Sequence, residues 1–581
     1  MKKKEQFSND TILFGAVFGF ALALRVLMLG VFPLREGEAR WAYQAWELWQ
    51  GQRSAVSFET GYLSITRLLF ALFGSSTFLA RLWPAVVGSF MVWVPYIFRE
   101  KVGRNPALIM ALGFAMDPGF LASSRSVGSP MTALVFLSLT AGLLIQDNYF
   151  WASIFGAFFL LSGRGFGLGL FLVGVTLALA HILKIIHFRK DVLQSFSGSS
   201  KQQPSFLWTR ALWVVGGVLL LFGTSFFSHF EGLSAWVGGI PAFLRGWAEP
   251  TSVSAGRVLL TMLIYQPLPI LFGALAAVQG LRERDVLSRF LSLWFVVALA
   301  VVLLYPGRQT WDLIWALVPL WGLTGLALSR EAFPFESRNT VWILAGLIFI
   351  LFSLMWLSFL SLATVPGDQP DVFWQWGIIG AAVVLGLLSV SLFAAERSWQ
   401  EGKQGLIMGV VAALILYMVS GTISTAYIRA DDPRSFWYPD PGTAQLPLLM
   451  ETVQEMSVYE TGREDSIRIT VTNHTSSLKW AFRDFPRVRF ETFINDGELS
   501  PLLITDADVE TSRFSNQYLG QDFVLHTYPG WQGVLPSDWK KWVAFREGQL
   551  VEDPILLWVK RDVYPGGDLL GVDQDSNGRS E

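Results

Sequence analysis

Glu36 and Glu38 stand with one residue between them directly after the first long apolar segment, and Arg35 and Arg40 flank them. Carboxylates can take up or release protons in catalysis, and guanidinium groups bind phosphate oxygens through paired hydrogen bonds. An acidic turn at the exit of an apolar helix is therefore a candidate site for acid–base or phosphate chemistry. The alternative is a set of solvated ion pairs, which contribute little free energy.

Five more charged residues stand in turns between apolar segments: Glu59, Asp117, Arg125, Arg164 and Arg308. Arg125 could bind a phosphate or simply extend to lipid headgroups, and Asp117 could serve a ligand or only cap a turn. Arg164 has glycines on both sides, which is a weak phosphate-binding pattern. Arg308 lies in a Pro-Gly turn that faces the predicted outer side.

The composition predicts that these residues belong to a membrane protein. Of 581 residues, 52% are hydrophobic and 15% are charged, which is too apolar for several water-soluble cores. A net charge of -2 gives no basic field for nucleic acid, and the absence of cysteine excludes disulfides and thiolate metal sites. The histidines lack partners at metal-ligand spacing, so the sequence leaves any metal site unknown.

Thirteen apolar segments are candidates for helices that cross a hydrocarbon core of about 30 Å, the fifth being the shortest. The first follows three lysines and has no small-residue cleavage site, so we expect it to stay uncleaved. The predicted spans are residues 11–32, 81–98, 106–122, 130–145, 149–161, 165–186, 208–227, 258–280, 290–305, 311–328, 341–365, 372–394 and 406–428.

Alternating these spans from a cytoplasmic N-terminus places lysine or arginine in every inner loop, as the positive-inside rule requires. The same alternation places residues 33–80, residues 228–256 and everything after Arg429 outside the cytoplasm. The inner segment 188–206 is rich in Ser, Gln and Lys and is predicted to be a flexible loop between two sets of spans.

Residues 33–80 are predicted to hold two helices that do not span. In the first, Trp41, Ala45 and Leu48 share one face with Trp49, and such aromatic rings suit the lipid headgroup layer. The second apolar piece is too short to cross a membrane. One span, an acidic turn, a surface helix, a shallow helix and another span suit a cavity that opens on the outer face.

After residue 428 the pattern changes from continuous apolar runs to alternation, which predicts a small α/β domain over residues 429–565. Residues 1–428 then form the transmembrane domain, and residues 566–581, rich in Gly, Asp and Ser, are predicted to be disordered. The predicted helices of the α/β domain are 445–459, 477–484 and 539–545, and its predicted strands are 467–471, 488–492, 502–504, 523–526 and 555–559.

Six short sequence motifs in and next to the predicted outer segments are informative when taken together. They are Glu38-Ala39, Leu72-Phe73-Gly74, Ala80-Arg81-Leu82, Phe230-Glu231-Gly232-Leu233, Tyr265-Gln266-Pro267-Leu268-Pro269 and Trp558-Val559-Lys560-Arg561-Asp562. These phrases resemble the GT-C superfamily of membrane glycosyltransferases, in particular glycosyltransferase family 39 and the flippase-activity-associated membrane proteins. The resemblance covers nearly the whole chain.

The resemblance implies a GT-C-like bundle of about thirteen transmembrane helices in a prokaryotic plasma membrane, with an extracytoplasmic α/β domain. It implies transfer of a sugar from a polyprenyl-phosphate donor to a glycan or protein acceptor at the outer face. Glu36 and Glu38 would act as general base or help to hold a divalent cation. The residues that it assigns to substrate binding are Glu59, Asp117, Arg125, Arg164 and Arg308.

This chain departs from the family pattern at several positions. Gly37 stands where the family has Asp, and Gly128 and Pro130 stand where Arg and Asp are usual. Glu36 could replace the missing Asp by reaching across Gly37. Two alternatives stay open, an active transferase and an inactive relative that binds lipid-linked glycans and assists their flipping or assembly. A transporter is disfavoured because the charges cluster at outer turns rather than at the membrane midplane.

Overall fold

The computed structural model describes residues 2–52, 57–185, 204–331, 339–365, 371–438, 440–494, 500–508 and 517–564. A helical bundle extends through residue 428, and a smaller domain built on a five-stranded sheet follows it. The predicted inner loop up to residue 203 and the predicted tail 566–581 lie outside the described residues.

The bundle is built from helices of very unequal length. They are α1 (Lys2–Val26), α2 (Glu36–Trp49), α3 (Thr60–Phe73), α4 (Thr77–Ser89), α5 (Trp93–Val102), α6 (Arg104–Met116), α7 (Pro118–Ser124), α8 (Met131–Ile145), α9 (Tyr149–Leu160), α10 (Gly163–Ile182), α11 (Pro204–Gly223), α12 (Gly232–Val237), α13 (Gly239–Arg245), α14 (Ala255–Tyr265), α15 (Pro267–Glu283), α16 (Val286–Leu304), α17 (Ile314–Glu331), α18 (Asn339–Thr364), α19 (Asp371–Glu396) and α20 (Trp399–Ile423).

Eight helices in the described part of the chain are long and apolar enough to cross a membrane, or ten if each of two bent helix pairs counts as one span. The chain is therefore an integral membrane protein, as predicted, but the predicted count of thirteen spans is not confirmed. Helices α8 and α9 have 15 and 12 residues. At about 1.5 Å per residue they are shorter than the hydrocarbon core.

Two predicted straight spans are bent where a proline starts a new helix. Helices α6 and α7 meet at 55°, and α14 and α15 meet at 90°. Pro118 and Pro267 each occupy the first turn of the second helix, where the missing N–H costs no hydrogen bond. The mean hydropathy of a sequence window stays high across such a bend, so the sequence pattern predicts one straight helix.

Two contacts join segments that the predicted alternation places on the same side of the membrane. Lys403 and Glu331, from two predicted inner loops, lie 2.6 Å apart. Arg257, next to the predicted outer loop 228–256, donates a hydrogen bond of 2.9 Å to the carbonyl of Tyr438, beyond the last span. The side of the membrane on which the sheet domain lies stays a prediction.

The sheet domain has the strand order β2-β1-β3-β5-β4. The first three strands are parallel, and β5 runs antiparallel to both β3 and β4. Every helix and strand predicted for this domain is present, although β4 and β5 are longer than predicted. The elements are α21 (Leu446–Thr461), β1 (Ile469–Val471), α22 (Ser476–Ala481), β2 (Val488–Phe490), β3 (Leu502–Asp506), β4 (Tyr518–Pro529), α23 (Trp539–Phe545) and β5 (Leu550–Lys560).

Helix α2 is enclosed by protein on the face that was expected to lie against lipid headgroups. Trp41, Ala45 and Leu48 are buried in one apolar cluster with Phe70 of α3 and Trp480 of α22. The expectation of a headgroup contact for this face is therefore wrong, because α3 and a helix of the sheet domain cover it. Helix α2 lies between the bundle and the sheet domain.

Candidate active site

Glu38 is buried, and its carboxylate accepts four hydrogen bonds. Arg81 donates from Nε to Oε1 at 3.0 Å and from Nη2 to Oε2 at 2.5 Å. The backbone N–H of Val127 donates to Oε1 at 3.0 Å, and that of Arg35 donates to Oε2 at 3.2 Å. Burial raises the pKa of Glu38, but these partners, Arg81 first, lower it below its usual value. Glu38 thus joins α2, α4 and the turn after α7.

Arg35, Arg81 and Arg125 form an arginine cluster around Glu38. Arg81 is paired with Glu38, whereas the guanidinium groups of all three also donate to backbone carbonyls, which hold the side chains without adding a negative charge. The carbonyl partners are Asp440 (2.6 Å) and Ala430 (2.8 Å) for Arg35, Phe32 (2.8 Å) and Pro33 (2.8 Å) for Arg81, and Leu27 (2.7 Å) and Arg25 (3.0 Å) for Arg125. Arg125 therefore caps the C-terminal end of α1, where a cation is favoured.

The arginine cluster faces a cavity of about 20 Å³ that Glu38 and Tyr438 also line. A space of this size holds about one water molecule. Beside it the turn after α1 exposes apolar side chains, with 58% of Leu27, 48% of Met28 and 61% of Val31 accessible. An exposed apolar surface next to buried cations suits a lipid with an anionic head.

Glu36 connects the bundle to the sheet domain. Its carboxylate accepts the backbone N–H of Ser476 at 2.7 Å and that of Ser477 at 2.9 Å, at the start of α22. Burial raises the pKa of Glu36, but these hydrogen bonds more than offset it and lower the pKa. Glu36 is therefore ionised and committed to a helix cap.

Glu59 and Arg164 form a second group. Arg164 Nη2 lies 2.6 Å from Asp312 Oδ2, and its backbone N–H donates to the Glu59 carboxylate. Gly163 has a φ of +53°, and a Cβ there would overlap that carboxylate. Burial raises the pKa of Glu59 to about 7 although Arg164 and Arg40 oppose it. A carboxyl poised near neutrality suits proton transfer.

Asp117 is buried away from these groups in the break between α6 and α7. It accepts the backbone N–H groups of Gly119 at 2.7 Å and Phe120 at 3.1 Å, which begin α7. It also accepts Gln266 Nε2 at 3.0 Å and Trp321 Nε1 at 2.8 Å. Asp117 therefore ties one helix break to the other, because Gln266 is the residue at the second break.

Arg308 holds a loop. Its Nη1 donates to the carbonyl of Val253 at 3.1 Å, and its own carbonyl accepts the hydroxyl of Thr251 at 2.5 Å. The structure thus divides the seven predicted residues rather than gathering them. It brings Glu38 to Arg125 and Glu59 to Arg164.

Sequence reasoning missed Asp440 and gave Arg35 and Arg81 no role as binding residues. Arg81 carries a usable signal, because a charged residue in an apolar segment usually marks a site. Asp440 carries none, since it lies far beyond the acidic turn. Its carboxylate nevertheless occupies the space beside Gly37 where a Cβ would otherwise project.

Among the described residues, no group of three or more His, Asp or Glu side chains is placed to hold a metal ion. The oxygens of Glu36 and Glu38 are already occupied by N–H donors. A requirement for a divalent cation stays a prediction.

A polar cleft of about 310 Å³ separates α2 from α22, and we name it the α2 cleft. It combines aromatic faces with two cations and hydrogen-bonding groups, a mixture typical of sites for polar ligands. Its lining residues are Arg40, Trp41, Tyr43, Gln44, Glu47, Ser57, Phe58, Ser476 and Lys479.

Neither protein-family models nor curated protein sequences include a match to this chain. Solved structures do match it. The crystal structure of ArnT from Cupriavidus metallidurans bound to undecaprenyl phosphate superposes with a TM-score of 0.54 at 16% identity, covering 94% of this chain and 97% of that one. The apo state of the same protein gives 0.53 at 15% identity, covering 95% and 98%. ArnT is a GT-C glycosyltransferase, so the predicted resemblance is confirmed at the level of the fold, and this chain is a membrane protein of the GT-C fold.

Proposed function

We propose that the chain is a membrane glycosyltransferase that moves a sugar from a polyprenyl-phosphate carrier to an acceptor at the outer face of a prokaryotic plasma membrane. The arginine cluster, buried beside the exposed apolar turn after α1, is the observation that carries the proposal. The ArnT structure with which this chain shares its fold was solved bound to undecaprenyl phosphate.

The arginine cluster would bind the phosphate of the carrier. The cavity of about 20 Å³ is too small for a phosphate group, so Arg125 would exchange carbonyls at the end of α1 for phosphate oxygens. Charged oxygens are the stronger acceptors for a guanidinium group, which favours this exchange. The isoprenoid would then extend along the exposed residues Leu27, Met28 and Val31.

The α2 cleft would hold the acceptor. Arg35 stands directly before α2 and lines the small cavity of the arginine cluster, whereas Arg40 lies on α2 and lines the α2 cleft. The carrier site and the acceptor site would therefore lie on two sides of the start of α2. Glu38 would keep Arg81 and the start of α2 in place.

An inactive GT-C relative that binds lipid-linked glycans and assists their flipping or assembly is the second candidate. It is favoured by the state of the two acids in the first outer turn. Glu36 caps α22 and Glu38 accepts four N–H donors, so neither has an unoccupied oxygen ready for a proton.

The purified protein in liposomes tests the choice between the two. Release of undecaprenyl phosphate from a panel of undecaprenyl-phosphate hexoses, with glycan and peptide acceptors, measures turnover. Arg125→Ala should weaken undecaprenyl phosphate binding by about tenfold or more, because charged hydrogen bonds contribute roughly 1.5–3 kcal/mol. Arg284→Ala, in an exposed inner loop, is the control.

Release that depends on Arg125 supports the transferase. Binding without release from any donor favours the inactive relative. If undecaprenyl phosphate binds neither form, the arginine cluster is not a carrier site and both candidates fail.

A further inference from the structure

Asp440 lies beyond the last span but beside the start of α2. Its backbone carbonyl accepts Arg35 Nη1 at 2.6 Å. Its carboxylate accepts the backbone N–H of Gly37 and fills the space where a side chain of residue 37 would project. The first outer turn and the segment after the last span therefore form one structure.

The acids near the arginine cluster differ in how far their oxygens are occupied. Glu36 and Glu38 are committed to N–H donors, as described above. Asp431 accepts the N–H and hydroxyl of Thr443 at 3.1 and 3.2 Å and lies 3.9 Å from Arg35 Nε. For Asp440, the Gly37 N–H is the single donor to the carboxylate within the described part of the chain. Asp440 therefore keeps acceptor capacity that the other acids have used.

Asp440 also lies between the two proposed subsites. The charged groups that face its carboxylate are Arg35, of the arginine cluster, and Glu38 and Arg40 on α2. Arg40 lines the α2 cleft. Burial raises the pKa of Asp440, Glu38 raises it further, and Arg35 and Arg40 lower it, with a net rise. A half-buried carboxyl with a raised pKa is a better base than an exposed one.

We propose that Asp440 is the general base of the transfer proposed above, and the inference rests on that function. The carboxylate takes the proton of an acceptor hydroxyl as its oxygen forms a bond to the anomeric carbon of the donor sugar. The bond from that carbon to the carrier phosphate breaks, and its electron pair leaves with the phosphate. The arginine cluster stabilises the charge of the released polyprenyl phosphate. The products are a glycosylated alcohol and the carrier phosphate.

The competing explanation is that Asp440 only caps the first turn of α2. Asp440→Asn separates the two roles, because the amide oxygen can still accept the Gly37 N–H but cannot take a proton. A base should lose about 10²- to 10⁴-fold in kcat. Binding of undecaprenyl phosphate should be unchanged or tighter, since a negative charge near the arginines is removed. Asp432→Asn, a partly buried acid of the same segment that pairs with Arg434, is the matched control and should keep kcat.

Moving the carboxylate provides a second variant. Gly37→Asp combined with Asp440→Gly brings a carboxylate from residue 37 into the vacated space, and it should recover part of the activity lost in Asp440→Gly alone. In the parent chain kcat should rise with pH through the raised pKa of Asp440, and Asp440→Asn should lose this dependence.

The outcomes separate the two proposals. Turnover that Asp440→Asn abolishes while undecaprenyl phosphate still binds supports the assignment. Equal turnover in Asp440→Asn overturns Asp440 as the base and leaves the transferase standing. A parent chain that binds undecaprenyl phosphate but releases none overturns the transferase and the base together.

Discussion

At the scale of single residues, the contact between Glu38 and Arg81 shows how a buried charge is kept in a membrane protein. Two N–H groups of one guanidinium and two backbone N–H groups donate hydrogen bonds to the two carboxylate oxygens. Removing one partner of such a pair leaves the other charge buried and unpaired, which costs more than the pair itself contributes. We therefore expect Glu38 mainly to stabilise the fold around Arg81 rather than to take part directly in a reaction.

Glu38→Gln should lower the stability of the purified protein by about 3–5 kcal/mol, because it leaves Arg81 without a charged partner. Thermal unfolding in detergent or lipid measures the loss. Glu552→Gln, at an exposed position on β5, is the control and should change little. A stable Glu38→Gln protein that has lost only turnover would instead assign Glu38 a direct role in catalysis.

Glu59 should make stability depend on pH. Its pKa of about 7 in the folded chain lies above the ordinary value of 4.5, so the folded state holds the proton more tightly than the unfolded state. Stability is then highest below about pH 4.5 and falls until the pH passes about 7. The loss should stay below about 3 kcal/mol, since the side chain is partly exposed.

Melting temperatures between pH 4.5 and 8 test this. Glu59→Gln should flatten the profile relative to the parent chain, whereas Glu249→Gln, at an exposed position, should leave it unchanged. An equally steep profile in Glu59→Gln would mean that other groups cause the dependence.

At the scale of elements, the two helix breaks are one construction. Asp117 begins α7 and also binds Gln266 at the corner between α14 and α15. Close packing also fixes the break between α6 and α7, because the indole of Trp437 lies so near Gly119 that a Cβ at residue 119 would overlap it. The two helix breaks of the bundle are thus joined to each other and packed against the segment after the last span.

Asp117→Ala should destabilise the chain far more than loss of an ordinary helix cap. It leaves four buried donors without a partner, each worth roughly 1–3 kcal/mol. Asp285→Ala removes the cap of α16 at a more exposed site and should cost about 1 kcal/mol. Unfolding of both variants in parallel gives the comparison. Similar small losses would show that water replaces Asp117.

Helices and strands were predictable from the sequence where the hydrophobic pattern within the segment itself determines the structure. The strands and helices of the sheet domain follow from alternation, and α23 begins and ends where predicted. The number of spans was not, because α8, α9 and the described part of α11, Thr209–Gly223, look like spans by composition. The prolines that bend two other spans do not lower the average hydropathy. The burial of Trp41 by α22 depends on a domain that comes more than 400 residues later.

At the scale of the whole molecule, the sheet domain is fixed to the bundle at several points. Glu36 caps α22 and Arg35 binds carbonyls of the segment after the last span. Arg546, at the end of α23, lies over the ring of Tyr265 of α14, 4.6 Å from the ring centre. The sheet domain therefore covers one side of α2, and the α2 cleft is the part of this interface that remains open to solvent.

Glu36→Ala should loosen this attachment without unfolding either part. Limited proteolysis within residues 472–475, directly before α22, should become faster, because the start of α22 is no longer held against α2. Glu451→Ala, on the exposed side of α21, is the matched control. Unchanged cleavage in Glu36→Ala would mean that Arg35 and α23 suffice to hold the domain.

The candidate site was predictable only in part. The acidic turn and Arg125 were predicted from charges at the ends of apolar segments. Charges within such segments are rare, and this rarity would also have identified Arg81. Asp440 could not be predicted, because its importance depends on its contact with Gly37, some 400 positions earlier in the chain. The sequence around a glycine does not indicate which distant residue will lie beside it. The contact exists only in the folded chain.

The contacts of Arg35 with Ala430 and Asp440 also set an order for assembly. A ribosome makes the first outer turn early and the segment that completes it only after the last helix of the bundle. Until synthesis reaches residue 440, the turn lacks carbonyls for Arg35 and the acid beside Gly37. A nascent or truncated chain can therefore insert its helices while the proposed site is still incomplete, so premature release would yield a membrane protein that lacks this site.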